Sequence, residues 1–362
     1  MKTAIVTTTI NIPVLLKDYI KNLKKYGHKD TECVVVGDKK TSPEAKTFCK
    51  ELSRKTNTPI HFFDIEGQAV YLRKYPELEK HLVYNSIQRR NIGILFAYEQ
   101  GAELIITIDD DNFFVSGDFV GQNSIVGTEQ KMDFIRSSTG WLNVCGFLKE
   151  EKNVPFYHRG FPMGKRWLKE KLLIKKKKGK IVVNAGFWLG DPDIDAITRL
   201  TNSINVLSYK RKSNFALGKG TWSPFNSQNT ALAREVIPAY FLSPMVGRYD
   251  DIWASYVIKA IADHLEHYIS FGNPLVYQDR NPHNYFKDFD KERDGMILSD
   301  LFCGWLRKIK MKGKNYGDCY GELIFGLEKL LSQDKKLDEH QKNYILSYLE
   351  GMKVWQKTLK RV

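Results

Sequence analysis

Residues 104 to 114 read LIITIDDDNFF, an aliphatic run closed by Asp109, Asp110 and Asp111. Three adjacent carboxylates repel one another unless a cation compensates them. Side chains alternate along an extended chain, so Asp109 and Asp111 point one way and Asp110 the other, unless the strand has already turned. Two carboxylates on one side of a strand end suit a hard divalent cation, Mn or Mg, that keeps water and phosphate oxygens as its other ligands. The plainer alternative is a solvated acidic turn. The cluster stands out because the chain is otherwise basic, with 56 Lys and Arg against 42 Asp and Glu and a formal net charge of +14.

The elements that would position this cluster are those of an α/β fold. TAIVTTTI reads as a first strand, and Pro13 opens a helix through VLLKDYIKNLKKYG. ECVVVGD is a second strand ending at Asp38, SPEAKTFCKELSRKT a helix, and PIHFFDI a third strand. LVYNSIQRRNIGILFAYEQG, residues 82 to 101, predicts one long amphipathic helix closing at Gly101, before the fourth strand, ELIITI. Strands separated by helices imply right-handed crossovers and a mainly parallel sheet, whose ligand sites lie beyond the carboxyl ends of the strands. Asp38 and the Asp109 to Asp111 cluster both fall there. From about 115 to 245 the pattern is mixed, with short strands at RSSTGWLNV and KIVVNAGFWLG. Residues 250 to 268 predict a helix with two acidic residues at its start, where they complement the helix dipole. The domain reading is one catalytic domain over residues 1–292 and a helical, basic accessory region over 293–362, with no internal repeat.

Composition narrows the class. Hydrophobic content of 42% and aromatic content of 12% are those of a globular protein. No stretch is both long and apolar enough to span a bilayer. The N-terminus lacks the apolar core and cleavage site of a signal peptide. The expectation is a cytoplasmic protein, with peripheral membrane contact left open. Five cysteines without C-x-x-C spacing exclude a zinc ribbon or a disulfide framework. Basic runs at KKKKGK (175–180), RKIKMKGK (307–314) and KVWQKTLKRV (353–362) would attract phosphate, anionic lipid or nucleotide. No nucleic-acid-binding motif accompanies them, so no nucleic acid partner is expected.

Around the cluster, four blocks occur in order: RRNIGILFAYEQGAELIITIDDDNF, YHRGFP, GFWLGDPDIDAITRL and GRYDDIWASYVIKAIADHLEH. Together they resemble the signature blocks of the reversibly glycosylated polypeptide family, the plant UDP-arabinopyranose mutases and their microbial relatives, over roughly residues 1 to 292. The resemblance implies a GT-A-like fold, whose aspartate-any-aspartate motif follows its fourth strand. It also implies a metal-dependent enzyme that interconverts pyranose and furanose forms of a nucleotide sugar, UDP- or GDP-linked, and that glycosylates itself reversibly on an arginine. No flavin is required, and no G-x-G-x-x-G fingerprint for one is present. A homo-oligomer is left open.

Carried onto this sequence, the family's arginine matches Arg159 in HRGFP, and a second matches Arg166. Arg248, Asp250 and Asp251 lie opposite the family's later arginine and acidic pair. A guanidinium is a poor nucleophile because it is essentially always protonated. Attack on an anomeric carbon would need a carboxylate to take a proton, and Asp250 or Asp251 is the candidate. Alternatively Arg159 clamps the diphosphate through a bidentate contact. In such a fold Thr7, Thr8, Thr9 and Asp38 lie where base and ribose bind, and Arg89, Arg90 and Asn91 where the diphosphate or base is reached. Trp188 with Asp191 and Asp193 could wall a sugar, with a core Trp188 as the alternative. His283 could be a late metal ligand beside Asp109, Asp110 and Asp111, unless Asp279 holds that place. MGKRWLKEKLLIKKKKGK, after GFP, departs from the plant pattern, and the region after 293 carries no resemblance. A glycosyltransferase acting on a glycan, lipid-linked or protein acceptor, and a non-catalytic self-glycosylated scaffold, are the competing readings.

Overall fold

The computed structural model describes all 362 residues. Four strands, β1 (Thr3–Thr8), β2 (Thr31–Val36), β3 (Ile60–Phe63) and β4 (Leu104–Asp109), run parallel in the order β3-β2-β1-β4. Their β-branched and aliphatic side chains are buried almost throughout β1, β2 and β4, as a sheet covered on both faces requires. Helices α1 (Leu16–Tyr26), α2 (Glu44–Thr56) and α3 (Arg90–Glu99) supply cover and crossovers. In α3, Gly93 lets the helix lie close on the sheet: a Cβ there would stand 2.6 Å from Val6 Cγ1. Thr8 is in register with both Val36 and Asp109, so the three strands end side by side and their last residues border one cleft.

The rest of the sheet is mixed. It comprises β5 (Asn112–Phe114), β6 (Glu129–Ser137), β7 (Leu148–Glu150), β8 (Leu172–Gly190), β9 (Val206–Tyr209), β10 (Phe215–Leu217), β11 (Asn229–Ala233) and β12 (Tyr268–Gln278). Strand β11 joins the halves, antiparallel to both β4 and β8. The first half of β8 pairs antiparallel with β6, and its second half lies parallel to β12. The α/β class agrees with the sequence reading.

Two local expectations need correction. The helix predicted over 82–101 begins only at Arg90, after a short 3-10 turn. Asn85 adopts a left-handed φ of 53°, and the Ser86 N–H donates to the Asp38 carboxylate at 2.9 Å, so the preceding segment cannot wind into that helix. The strand read from RSSTGWLNV stops at Ser137, where the chain turns through Gly140.

Helix α4 (Asp250–Leu265) is deeply buried and matches its expected span apart from the last turn. Three helices follow: α5 (Tyr285–Lys308), α6 (Tyr316–Gln333) and α7 (Glu339–Leu359). The expected boundary at 292/293 falls inside α5. Glu292 itself is buried, accepting from Arg248 Nε and the Ala196 N–H, each at 2.8 Å. Trp253 of α4 stacks on Phe302 of α5 at 4.2 Å between centroids, with Tyr348 of α7 edge-on at 5.0 Å. These residues belong to one contiguous core running from Ala4 to Trp355. Replacing Phe302 by Ala should therefore cost about 3–5 kcal/mol and lower the midpoint of a single urea transition. Two separate transitions would show that the C-terminal helices fold as their own unit.

Candidate active site

At the carboxyl ends of β1, β2 and β4 opens a cleft of about 280 Å³, walled on its far side by the start of α4 and the segment after β12. Of the residues singled out in the sequence, Thr8, Thr9, Asp38, Arg89, Arg90, Asp109, Asp110, Asp111, Arg159, Asp193, Arg248, Asp250, Asp251 and His283 all line it.

The three aspartates do not act alike. Strand β4 ends at Asp109, and the chain turns through Asp110 and Asp111 before β5. Asp109 is ion-paired with the buried Arg90, which also donates to Thr8 Oγ1 at 3.2 Å and to the Ser227 carbonyl at 2.7 Å. Asp110 accepts from Thr9 Oγ1 at 2.8 Å. Asp111 accepts from Asn112 Nδ2 at 3.0 Å and from the Asn281 N–H at 3.3 Å. Neither Asp110 nor Asp111 has a salt-bridge partner, whereas Asp109 has one. Burial raises the Asp110 carboxyl above its usual range. Burial and the neighbouring Asp109 push Asp111 up to about 6. His283 donates through Nδ1 to the Asp288 carboxylate at 2.9 Å. No three His, Cys, Asp or Glu side chains are grouped so as to enclose an ion. Of the four residues expected to hold a metal, Asp109 is paired with Arg90 and His283 with Asp288, whereas Asp110 and Asp111 have no ion-pair partner.

Arg159 lies across the cleft in a cage. Its Nε donates to Asp193 Oδ1 at 2.9 Å, its Nη2 to both Asp251 oxygens at 3.0 and 3.2 Å, and its Nη1 to the Arg248 carbonyl. Burial opposes the charge, but Asp193 and Asp251 more than offset it and hold the guanidinium protonated well above its ordinary range. Burial likewise opposes ionisation of Asp193, yet Arg159 keeps that carboxyl far below the usual carboxylate range. The Arg248 carbonyl is presented by Gly247, whose φ of 57° and ψ of −125° exclude a side chain; a Cβ there would meet the Lys291 carbonyl at 2.4 Å. Asp251 also accepts from the Ser227 N–H at 3.0 Å. Asp250 does not touch Arg159 and accepts instead from Gln88 Nε2 at 2.9 Å. Arg248 reaches Glu292 and Asp288.

Several expected residues lie elsewhere. Arg166 pairs with Asp195 at 2.6 Å and contacts no cleft wall. Trp188 is 1% exposed, packed near Phe187 and His158, so the core alternative holds and it forms no sugar wall. Asp191 pairs with Arg199 at 2.6 Å, outside the cleft. Thr7 is buried within β1. Asn91 ties α3 to the Leu242 backbone through both ends of its amide. The Asp38 carboxylate is already bonded to the Lys39 and Ser86 N–H groups, at 2.7 and 2.9 Å.

The cleft also holds residues that the sequence did not reveal: Gln88, Ser227, Gln228, Gln278, Arg280 and Asn281. Arg280 is the most consequential. Its buried Nε makes no hydrogen bond but is ion-paired with Asp191 at 3.4 Å, and burial and Arg199 lower its pKa. Its place in DRNPHN, directly after the last strand of the sheet, was the available signal.

Asp250 has a testable consequence. Burial and the adjacent Asp251 push its carboxyl up to about 7, above the value of about 3.9 for an unfolded chain. A raised carboxyl favours folding in its protonated form, so that contribution is complete below about pH 4 and is lost as pH rises through about 7. Asp250→Asn should thus gain stability relative to the parent between about pH 5 and 8, read as urea midpoints. A difference independent of pH would contradict this.

The profile of a family described as "Reversibly glycosylated polypeptide" matches residues 77–360. UDP-arabinopyranose mutase 3 of Arabidopsis thaliana is 28% identical over 260 residues, covering 69% of this chain and 66% of the relative. UDP-arabinopyranose mutase 1 of the same plant is 30% identical over 237 residues, covering 63% and 62%. The alignments thus span just under two thirds of these relatives' own length. Among solved structures, glucosyl-3-phosphoglycerate synthase from Mycobacterium tuberculosis, in complex with Mn2+ and UDP-glucose, aligns at TM-score 0.41 and 10% identity over 84% of this chain and 79% of that one. The mannosyltransferase PcManGT from Pyrobaculum calidifontis, in complex with GDP-Man and Mn2+, aligns at 0.40 and 7% over 98% and 86%. The family match takes in the carboxylate cluster, the Arg159 cage and the C-terminal helices for which the sequence offered no resemblance. By that match, this chain belongs to the reversibly glycosylated polypeptide family.

Proposed function

We propose that this chain is a nucleotide-sugar mutase that interconverts pyranose and furanose forms of its substrate through a sugar held on Arg159. One observation carries the reading: a single cleft places the unpaired carboxylates Asp110 and Asp111 opposite a caged arginine whose carboxylate partner can take a proton. Family membership and the UDP-arabinopyranose mutase relatives support it.

Asp110 and Asp111 fit a divalent cation, Mn or Mg. Both are oxygen donors, Asp111 is buried and Asp110 half-buried, and neither is salt-bridged in a chain of net charge +14. Two protein carboxylates suit an ion that keeps water and substrate oxygens as its other ligands. Such an ion, when bound, stabilises negative charge on a diphosphate. Arg248 and Arg280 line the same cleft and supply further positive charge toward an anion.

Arg159 remains protonated in the resting cage, so glycosylation must be coupled to proton loss. As the anomeric carbon–oxygen bond breaks, the nucleoside diphosphate leaves with the electron pair. The Nη2–carbon bond then forms while the Nη2 proton passes to Asp251, which already accepts it at 3.0 Å. The sugar ring opens as its C1–O bond breaks, the nitrogen lone pair forming a C=N bond and the ring oxygen taking a proton, and it closes as a different hydroxyl adds to that carbon and gives up its proton. Attack by the retained diphosphate breaks the nitrogen–carbon bond, and Asp251 returns the proton. Asp251, rather than Asp250, is the proton acceptor because of these two only Asp251 contacts the guanidinium, and it does so at Nη2 whereas Asp193 holds Nε.

The test is to incubate the protein with UDP- and GDP-sugars and manganese, without acceptor, and to analyse the products. Isomerised nucleotide sugar is expected; hydrolysis alone would point to a transferase lacking its acceptor, and stoichiometric labelling without turnover to a scaffold. Arg159→Lys should abolish isomerisation, and Asp251→Asn should slow it by about 10²–10⁴-fold. Full activity in Arg159→Lys would sink the covalent route. Removing both Asp110 and Asp111 as carboxylates, by Asn, should raise the manganese concentration needed for half-maximal rate by at least about tenfold. An unchanged metal requirement would relocate the cation.

A further inference from the structure

Two of the basic runs seen in the sequence, at 307–314 and 353–362, converge in space. They border a groove of about 1170 Å³ between α6 and α7, remote from the cleft and sharing no lining residue with it. Lys308 enters it from the end of α5, Lys310 and Lys312 from the loop between α5 and α6, Lys329 from α6 and Lys360 from the end of α7. None of these five forms a salt bridge, whereas Lys353 and Lys357 of α7, outside the groove, pair with Glu328 and Glu77. The groove's two acids, Glu322 and Asp318, form no ion pair with these five lysines, which outnumber them. Glu322 accepts from the Lys312 and Gly313 N–H groups at 2.7 and 3.0 Å, and Asp318 accepts from Asn315 Nδ2 at 2.7 Å.

The groove also presents apolar surface. Phe325 is 72% exposed beside Leu330, and a large aromatic ring is seldom left in water without a partner. On α6, Gly317 and Gly321 stand one turn apart and keep the floor low ahead of Phe325. We propose that this groove docks an acidic amphipathic helix of a partner protein. The occupant's carboxylates meet the lysine rim, and its apolar residues meet Phe325 and Leu330, the usual helix-in-groove arrangement. A phosphate ligand fits less well, since the lining holds no arginine fork. A bilayer fits less well too, because the charges line a concavity rather than a protruding face.

The test uses the full chain and a dye-labelled peptide of about 15 residues, with Glu on one helical face and Leu and Phe on the other, read by fluorescence anisotropy. Saturable binding is expected, weakened at least tenfold by Lys310→Glu with Lys329→Glu and also by Phe325→Ala, and unaffected by Lys175→Glu with Lys176→Glu. The doubly reversed variant should keep the parent's circular dichroism and its isomerisation rate. Binding that is indifferent to the groove substitutions, or that falls equally with the control pair, would overturn the proposal as general charge attraction. Binding of phosphatidylserine vesicles or inorganic phosphate in place of the peptide, lost in the same variants, would overturn it in favour of an anionic headgroup.

Discussion

The structure depends most on a buried arginine held between two buried aspartates. Arg159, Asp193 and Asp251 come from three distant stretches of chain and meet below the surface, where an uncompensated charge would be strongly destabilising. Each partner is itself fixed. Asp251 sits in the first turn of α4 and accepts from Ser227, two residues before β11, which also receives Arg90. Asp193 accepts from Asn226 Nδ2 at 2.8 Å. The Arg248 carbonyl is aimed by a backbone conformation that only glycine tolerates at Gly247. Arg159 is thus a fixed feature of the cleft.

The same logic explains why the carboxylate cluster divides as it does. Register places Thr8 beside Asp109, and α3 begins at Arg90, so Arg90 arrives where it can neutralise Asp109. Asp110 and Asp111, in the turn beyond the strand, line the cleft without a salt-bridge partner, Arg280 being the positive charge that acts on Asp111. The +14 charge of the chain is therefore not spread over all its acids. The C-terminal helices take part in this arrangement. Glu292 of α5 holds Arg248, and Tyr344 of α7 donates to the Val246 carbonyl at 2.9 Å, bracing the segment that presents Gly247.

What was legible in the sequence followed from local rules. The first four strands show as short apolar runs, and the acidic opening of α4 shows as a dipole-matched helix start. Arg159, Asp250 and Asp251 were found through motif resemblance, and the cleft brings them together. The misses share a cause, namely that they depend on pairing across the fold. Whether Asp109 is free depends on where Arg90 lands, and whether Trp188 faces sugar or core depends on how β8 twists between β11 and β12. The 82–101 helix fails because the Asp38 carboxylate takes the Ser86 N–H. Gln88 sits in unremarkable local sequence and matters only through its neighbours.

The most direct measurement is peptide mapping by mass spectrometry of protein incubated with its nucleotide sugar and manganese, quenched during turnover. The account predicts a single sugar mass on the peptide containing Arg159, disappearing when excess nucleoside diphosphate is added. An adduct on another residue, or continuing isomerisation with Arg159 unmodified throughout, would contradict it.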